Sequence, residues 1–176
     1  MRVEIFNCGY ADLQINLLPR LRGRVFHVTD AKGFAGICQS GFIETADGHQ
    51  IKPRSNAIAP TRFGPSRGYV CLIDLRNASD SVIEESYGFY YFLDPEDADE
   101  NIFLFLNESG HSLLIPNAVG LNTRGAAAVP GIEVWYPGPI SVKSIDVAIR
   151  VPMLPRPDPY ALNLDMEAFR KLFPNG

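Results

Sequence analysis

The sequence predicts an α+β domain: a mostly antiparallel pair of sheets with a few short helices. Two observations carry this. Fourteen prolines and fifteen glycines in 176 residues exceed average usage and favour short elements joined by turns over a helical bundle. Apolar runs of strand length, "GYVCLIDLR", "IFLFLN", "SLLIP", "IEVWYP" and "IDVAIRV", recur at about the spacing of a sandwich or barrel. A hydrophobic fraction of 46% and a charged fraction of 20% fit a folded globular chain.

Taken in order, "RVEIF" and "RVFHV" read as short strands. Between them "ADLQINLLPRL" reads as a short helix ended by Pro19. Asp30 is suited to cap the next helix, Phe34 and Ile37 stand at helical spacing, and Gly41 suits its stop. Residues 50–68 form a Pro-, Asn-, Arg- and Gly-rich loop of a size usually reserved for function. "GYVCLIDLR" is the strongest buried strand, a nearly continuous apolar run closed by Asp74 and Arg76. A short strand or helical turn follows, with an aromatic cluster (Tyr87, Phe89, Tyr90, Tyr91 and Phe92) and an acidic loop. After the last strand, "PRPDP" is a rigid linker. "LDMEAFRKLF" is a short terminal helix, amphipathic through Leu164, Phe169 and Leu172. The whole reads as one domain, residues 1–176, with its core at about 24–151 and the linker and helix at 152–176.

The formal net charge of −4 supplies no global basic field for nucleic acid. Cys8, Cys38 and Cys71 lack metal-type spacing and lie among apolar residues, which predicts buried free thiols. Glu4 interrupts the apolar run a signal peptide needs, and "IFLFL" is far short of the ~20 residues of a membrane span. These features favour a cytoplasmic protein with no membrane partner; a secreted effector without a classical signal is the other reading.

Several chemistries lack their motifs. His27, His49 and His111 show no zinc-type spacing. No Gly-x-Ser-x-Gly elbow and no phosphate-cradling Gly-rich loop ending in Lys-Ser/Thr occurs. Glu84 and Glu85, read on a strand, face opposite sides and make a solvated edge. What remains is His27-x-Thr29 on an early strand and Glu133 at the mouth of a late one. His27 is either a half-buried imidazole satisfied by a backbone carbonyl or a ligand grip. Glu133 is either an edge charge that discourages strand pairing or a carboxylate projecting into a cleft.

Taken together, His27, Thr29, the helix ending "ICQSGFI", the middle strand "RGYVCLIDLRN" and the late "IEVWYPGPISVKSI" resemble the ADP-ribosyltransferase superfamily. The branch is the diphtheria-toxin-like and poly-ADP-ribose-polymerase-like one. The similarity is closest to bacterial DNA-targeting ADP-ribosyltransferase toxins and RNA 2′-phosphotransferases, and it covers about residues 24–151. The resemblance implies a split antiparallel β-sandwich with NAD as substrate. It implies His27 and Thr29 as the ribose grip and Glu133 as the catalytic carboxylate. A tyrosine would stand against nicotinamide: Tyr69 first, with Tyr87 and Tyr90 as alternatives. Arg62 or Arg67 would hold the diphosphate. It further implies an unidentified macromolecular acceptor, protein or nucleic acid, and an antitoxin or immunity partner. A non-catalytic nucleotide-binding or protein-interaction module on the same scaffold is the alternative. An RNA 2′-phosphotransferase would want a basic groove, which the acidic balance disfavours. The transferase reading requires the His27 imidazole and the Glu133 carboxylate to line one cavity.

Overall fold

A computed structural model describes residues 1–7, 13–45, 64, 67–87, 100–116, 129 and 131–152. Nine strands make two sheets among these residues. In chain order they are β1 (Arg2–Ile5), β2 (Val25–Asp30), β3 (Phe42–Ile43), β4 (Tyr69–Asp74), β5 (Glu100–Leu106), β6 (Ile115–Pro116), β7 (Glu133–Pro137), β8 (Ile140–Ser141) and β9 (Ile145–Pro152). The helices are α1 (Leu18–Leu21), α2 (Ala31–Ser40) and α3 (Asp80–Tyr87). The large sheet runs β1-β9-β5-β2-β4-β7-β6, and β3 pairs with β8 in a small second sheet. Pairing is antiparallel except between β1 and β9. The predicted α+β class with a strand-rich sheet and few short helices is what forms.

The large sheet is covered on both faces. One face carries Phe26, Ile73, Phe103, Phe105, Val147 and Ile149, packed with Leu17 and Leu21 from the α1 region and Ile83 from α3. The other carries Val25, Val70, Leu72, Ile102, Leu104 and Ala148, packed with Ile37 of α2, Ile43 of β3 and Ile140 of β8. Successive side chains on a strand point to opposite faces, so odd and even positions fall into different compartments. Double coverage explains why β4 and β5 read as unbroken apolar runs; every residue of β5 is buried. The core also begins earlier than residue 24, because Leu17 and Leu21 are fully buried in it.

The link from β2 into α2 follows the predicted chemistry. Asp30 accepts a hydrogen bond from the Gly33 N–H at 2.6 Å, satisfying one of the first-turn donors. Gly41 ends the helix in the left-handed region, φ +78°, its N–H bonded to the Ile37 carbonyl. Gly33 has a separate reason: a Cβ there would collide with Thr29 Oγ1. The helix can therefore lie down on its own preceding strand only without a side chain at this position.

Four expectations are corrected. Pro19 stands in the first turn of α1, after a π-type turn over Leu13–Leu17, and so helps start the helix it was expected to end. A first-turn N–H has no intrahelical acceptor, so its loss there costs nothing. Of "SLLIP", only Ile115–Pro116 is strand, because Glu108–Leu113 forms a 3₁₀ turn. Glu84 and Glu85 lie exposed on α3, not on a strand. Cys38 is exposed and Cys71 is half-buried, so neither is the fully buried thiol predicted. Cys38 faces outward because α2 buries the stripe containing Ile37. The aromatic cluster at residues 88–92, the Tyr87 side chain, Cys8, the linker and the terminal helix lie outside the described residues.

Gly33→Ala is expected to destabilise the domain by about 1–3 kcal/mol through overpacking against Thr29, read by urea denaturation. The same substitution in a Thr29→Ala background should cost clearly less, since the colliding hydroxyl is gone.

Candidate functional site

Three neighbouring strands carry the residues singled out by sequence. β2 holds His27 and Thr29, β4 opens with Tyr69, and β7 opens with Glu133, in the spatial order β2-β4-β7. A proline-containing turn follows β7, with Gly138 at φ +84°.

His27 sits where the ladder between β2 and β4 stops. β2 pairs with β5 from Phe26 to Asp30, but with β4 only at Val25↔Asp74 and Phe26↔Ile73. Just past that point the His27 ring reaches across, and its Nδ1 lies 3.0 Å from the Cys71 carbonyl oxygen. A carbonyl only accepts, so Nδ1 carries the proton and donates. Burial depresses the imidazole pKa below its ordinary 6.5, and the Cys71 hydrogen bond only partly offsets this. The ring is therefore neutral at pH 7, with Nε2 left as an acceptor. Of the two readings for His27, the half-buried imidazole satisfied by a backbone carbonyl describes its present state. Thr29, two residues on, shares its face and touches the start of α2 at Gly33.

Glu133 is not at a water-facing edge. It is 4% exposed, and both carboxylate oxygens are engaged. Oε2 accepts from the Val129 N–H and Oε1 from Trp135 Nε1, each at 2.7 Å. Trp135 is fully buried, so its indole N–H needs an acceptor inside the protein. The carboxylate is that acceptor, and it also ties down the chain entering β7. The edge-charge reading of Glu133 is overturned by this burial.

Register places the two residues apart. Phe26 stands opposite Ile73, and Ile73 opposite Glu133. Glu133 therefore shares the face of Phe26 and Ile73, where Val129 also packs. His27 stands opposite Leu104, on the face of Leu72 and Val134. The imidazole and the carboxylate thus occupy opposite faces of one sheet, and the single shared cavity expected for them does not form. Neither changes sides without a shift of strand register.

Tyr69, half-buried, falls by alternation on the Glu133 face, opposite Pro137. Its N–H donates to the Gly64 carbonyl at 3.0 Å. Gly64 itself lies against Trp135 and Cys71: a Cβ there would approach the indole to 2.5 Å and the Cys71 sulfur to 2.9 Å. The start of β4 and the Trp135–Glu133 pair thus form one packed unit on that face. Arg67 is exposed in the turn leading into β4, and Arg62 lies outside the described residues. Sequence reading missed Trp135 as the partner of Glu133, although two polar-tipped residues at i and i+2 on a strand were a usable signal.

Elsewhere, a cavity of about 560 Å³ opens where β2 begins and β5 ends, lined in part by Arg2, Arg24, Phe105, His111 and Asp146. Its lining includes none of His27, Thr29, Arg67, Tyr69 and Glu133. Among the described residues no group of three or more His, Cys, Asp or Glu is arranged to hold a metal ion, and no helix is long and apolar enough to cross a membrane.

Comparison of the chain with protein-family models, with curated proteins and with solved structures finds no match.

Glu133→Gln keeps the shape but turns an NH₂ group toward one of two buried N–H donors. It is expected to cost about 1–3 kcal/mol of stability, measured by denaturant unfolding monitored at Trp135; an unchanged midpoint would contradict the bracing role. His27 sets an acid limit. Below 6.5 the unfolded histidine takes up a proton that the folded one resists, so stability is full above that pH and falls toward the lowered folded value. In His27→Gln, the part of the pH dependence lying just below 6.5 should flatten in a pH series of melting curves.

Proposed function

We propose that this chain is a nucleotide-binding domain of ADP-ribosyltransferase-like type. It takes the ribose–nicotinamide part of NAD at the unzipped stretch between β2 and β4, and His27 and Glu133 do not act there as a catalytic pair. One observation carries the reading. At the point where the ladder ends, His27 is held neutral, with Nδ1 committed to Cys71 and Nε2 left to accept. A neutral imidazole fixed in this tautomer is suited to accept a hydrogen bond from a ribose hydroxyl. A sheet strand holds it more rigidly than a loop would, so little entropy is lost when a sugar docks. Thr29 supplies a hydroxyl on the same face. Arg62 and Arg67, both in the stretch 50–68 that the sequence predicts to be a loop, are the candidates for the diphosphate, since guanidinium forks match phosphate oxygens.

A second reading, NAD-dependent mono-ADP-ribosyl transfer to a protein or nucleic acid, draws on Tyr69 and Glu133, which share one face of neighbouring strands; His27 lies on the other face. In that reaction the bond between nicotinamide and ribose C1′ breaks, and nicotinamide leaves with the electron pair. The acceptor then bonds to C1′ and gives its proton to a base. Glu133 would first have to exchange its bonds to Val129 and Trp135 for the ribose. The observed bonding favours the binding reading over this one.

Incubation with NAD labelled in the adenylate part separates the two. Binding by calorimetry with no released nicotinamide is the expected result, and His27→Ala should weaken it about tenfold, the loss of one hydrogen bond. Nicotinamide release with the label retained on a protein or nucleic acid, lost in a Glu133→Gln variant that circular dichroism shows to be folded, would establish the transferase reading instead; release with no label retained would be hydrolysis and would overturn the binding reading. No binding to the parent chain would remove both.

A further inference from the structure

We infer that β1 is a self-association edge: two copies of this chain join antiparallel through Arg2–Ile5 about a two-fold axis at Val3. Among the described residues β1 ends the large sheet, paired on one side with β9. Its other side carries an alternating pattern. Met1, Val3 and Ile5 are 46%, 48% and 65% exposed, whereas Phe6 packs into the core on the other face. Arg2 and Glu4 share the Phe6 face by alternation and pair with each other at 2.7 Å.

Among the registers that overlap most of Arg2–Ile5, main-chain direction and charge together select one. The Phe6 N–H bonds to the Arg150 carbonyl on β9, so Arg2, Glu4 and Phe6 direct their backbone groups inward. Val3 and Ile5 direct theirs away from the sheet, where a further strand adds. An antiparallel partner must therefore match odd positions with odd ones. Setting Val3 against the partner's Ile5 would place Glu4 opposite the partner's Glu4. Setting Met1 against the partner's Val3 would place Arg2 opposite the partner's Arg2. Like charges directly across a ladder are destabilising. Centring on Val3 sets Arg2 opposite the partner's Glu4, and the reverse, on one face. On the other face it lines Met1 and Ile5 around the Val3 pair. Such a contact is isologous and closes at two copies, with no open filament. The edge is short and the buried area modest, so association depends on concentration.

Sedimentation velocity across a dilution series, on the chain and three variants, tests this. The parent is expected to pass from dimer to monomer on dilution. Arg2→Glu and Glu4→Arg alone each place like charges across the axis, and each should weaken association at least tenfold. The double exchange restores opposite charges and should restore the dimer. Arg2 is exposed, whereas Glu4 is half-buried and also faces Arg20 at 3.9 Å, so circular dichroism and melting curves check that each variant is folded as the parent is. A parent that stays monomeric at the highest concentration would overturn the inference. So would a dimer indifferent to the single exchanges, or a double exchange as weak as either single one.

Discussion

The sheet buried on both sides is the constraint from which the rest of the molecule follows. Because β2, β4, β5, β7 and β9 are packed between two hydrophobic layers, the parity of a residue on its strand decides which interior it enters. For apolar residues either choice is favourable, at roughly 25 cal/mol per Å² of area removed from water. For the few polar ones the choice decides their chemistry. A buried polar group must find a partner in whichever layer it enters. His27 meets a main-chain carbonyl left over where a ladder ends; Glu133 meets an indole and an amide N–H.

These two solutions differ in what they leave open. Glu133 has both oxygens occupied within its own layer, so its charge serves the fold: it fixes the entry to β7 and satisfies the largest fully buried side chain, Trp135. Removing such a carboxylate would strand two donors, the expensive half of any hydrogen bond. His27 spends one nitrogen and keeps the other. Its main-chain surroundings are also less complete, since β2 is laddered to β5 from Phe26 to Asp30 and only briefly to β4. Rigidity on one side and an interrupted ladder on the other make this stretch the more suitable place for a ligand.

The strand-to-helix step beside it reinforces that rigidity. Asp30 caps α2 while Thr29 occupies the space that Gly33 vacates, so the strand and helix are locked within four residues. At the far side of the sheet, Glu100 and Arg150 form a two-pronged ion pair across β5 and β9, at 2.9 and 2.8 Å. This pair covers the sheet beside β1, and the apolar side of β1 itself stays exposed. At this end of the sheet a side-chain pair closes over β9, while β1 has no further partner strand among the described residues.

Much of the local structure was legible in the sequence, because its causes are local. Asp30 and Gly41 mark the ends of α2 by capping chemistry alone, and the apolar runs of β4 and β5 announce strands covered on both faces. Glu133 stands first on its strand, as the sequence indicated. The sense of Pro19 and the extent of β6 were not legible, since both depend on which residues the surrounding layers leave room to bury. Nor was the separation of His27 from Glu133. Strand order and register are set by contacts between segments far apart in the chain, Phe26 with Ile73 and Ile73 with Glu133, and a shift of one position exchanges the faces. Sequence determined which residues carry chemistry; only the tertiary pairing decided which of them meet.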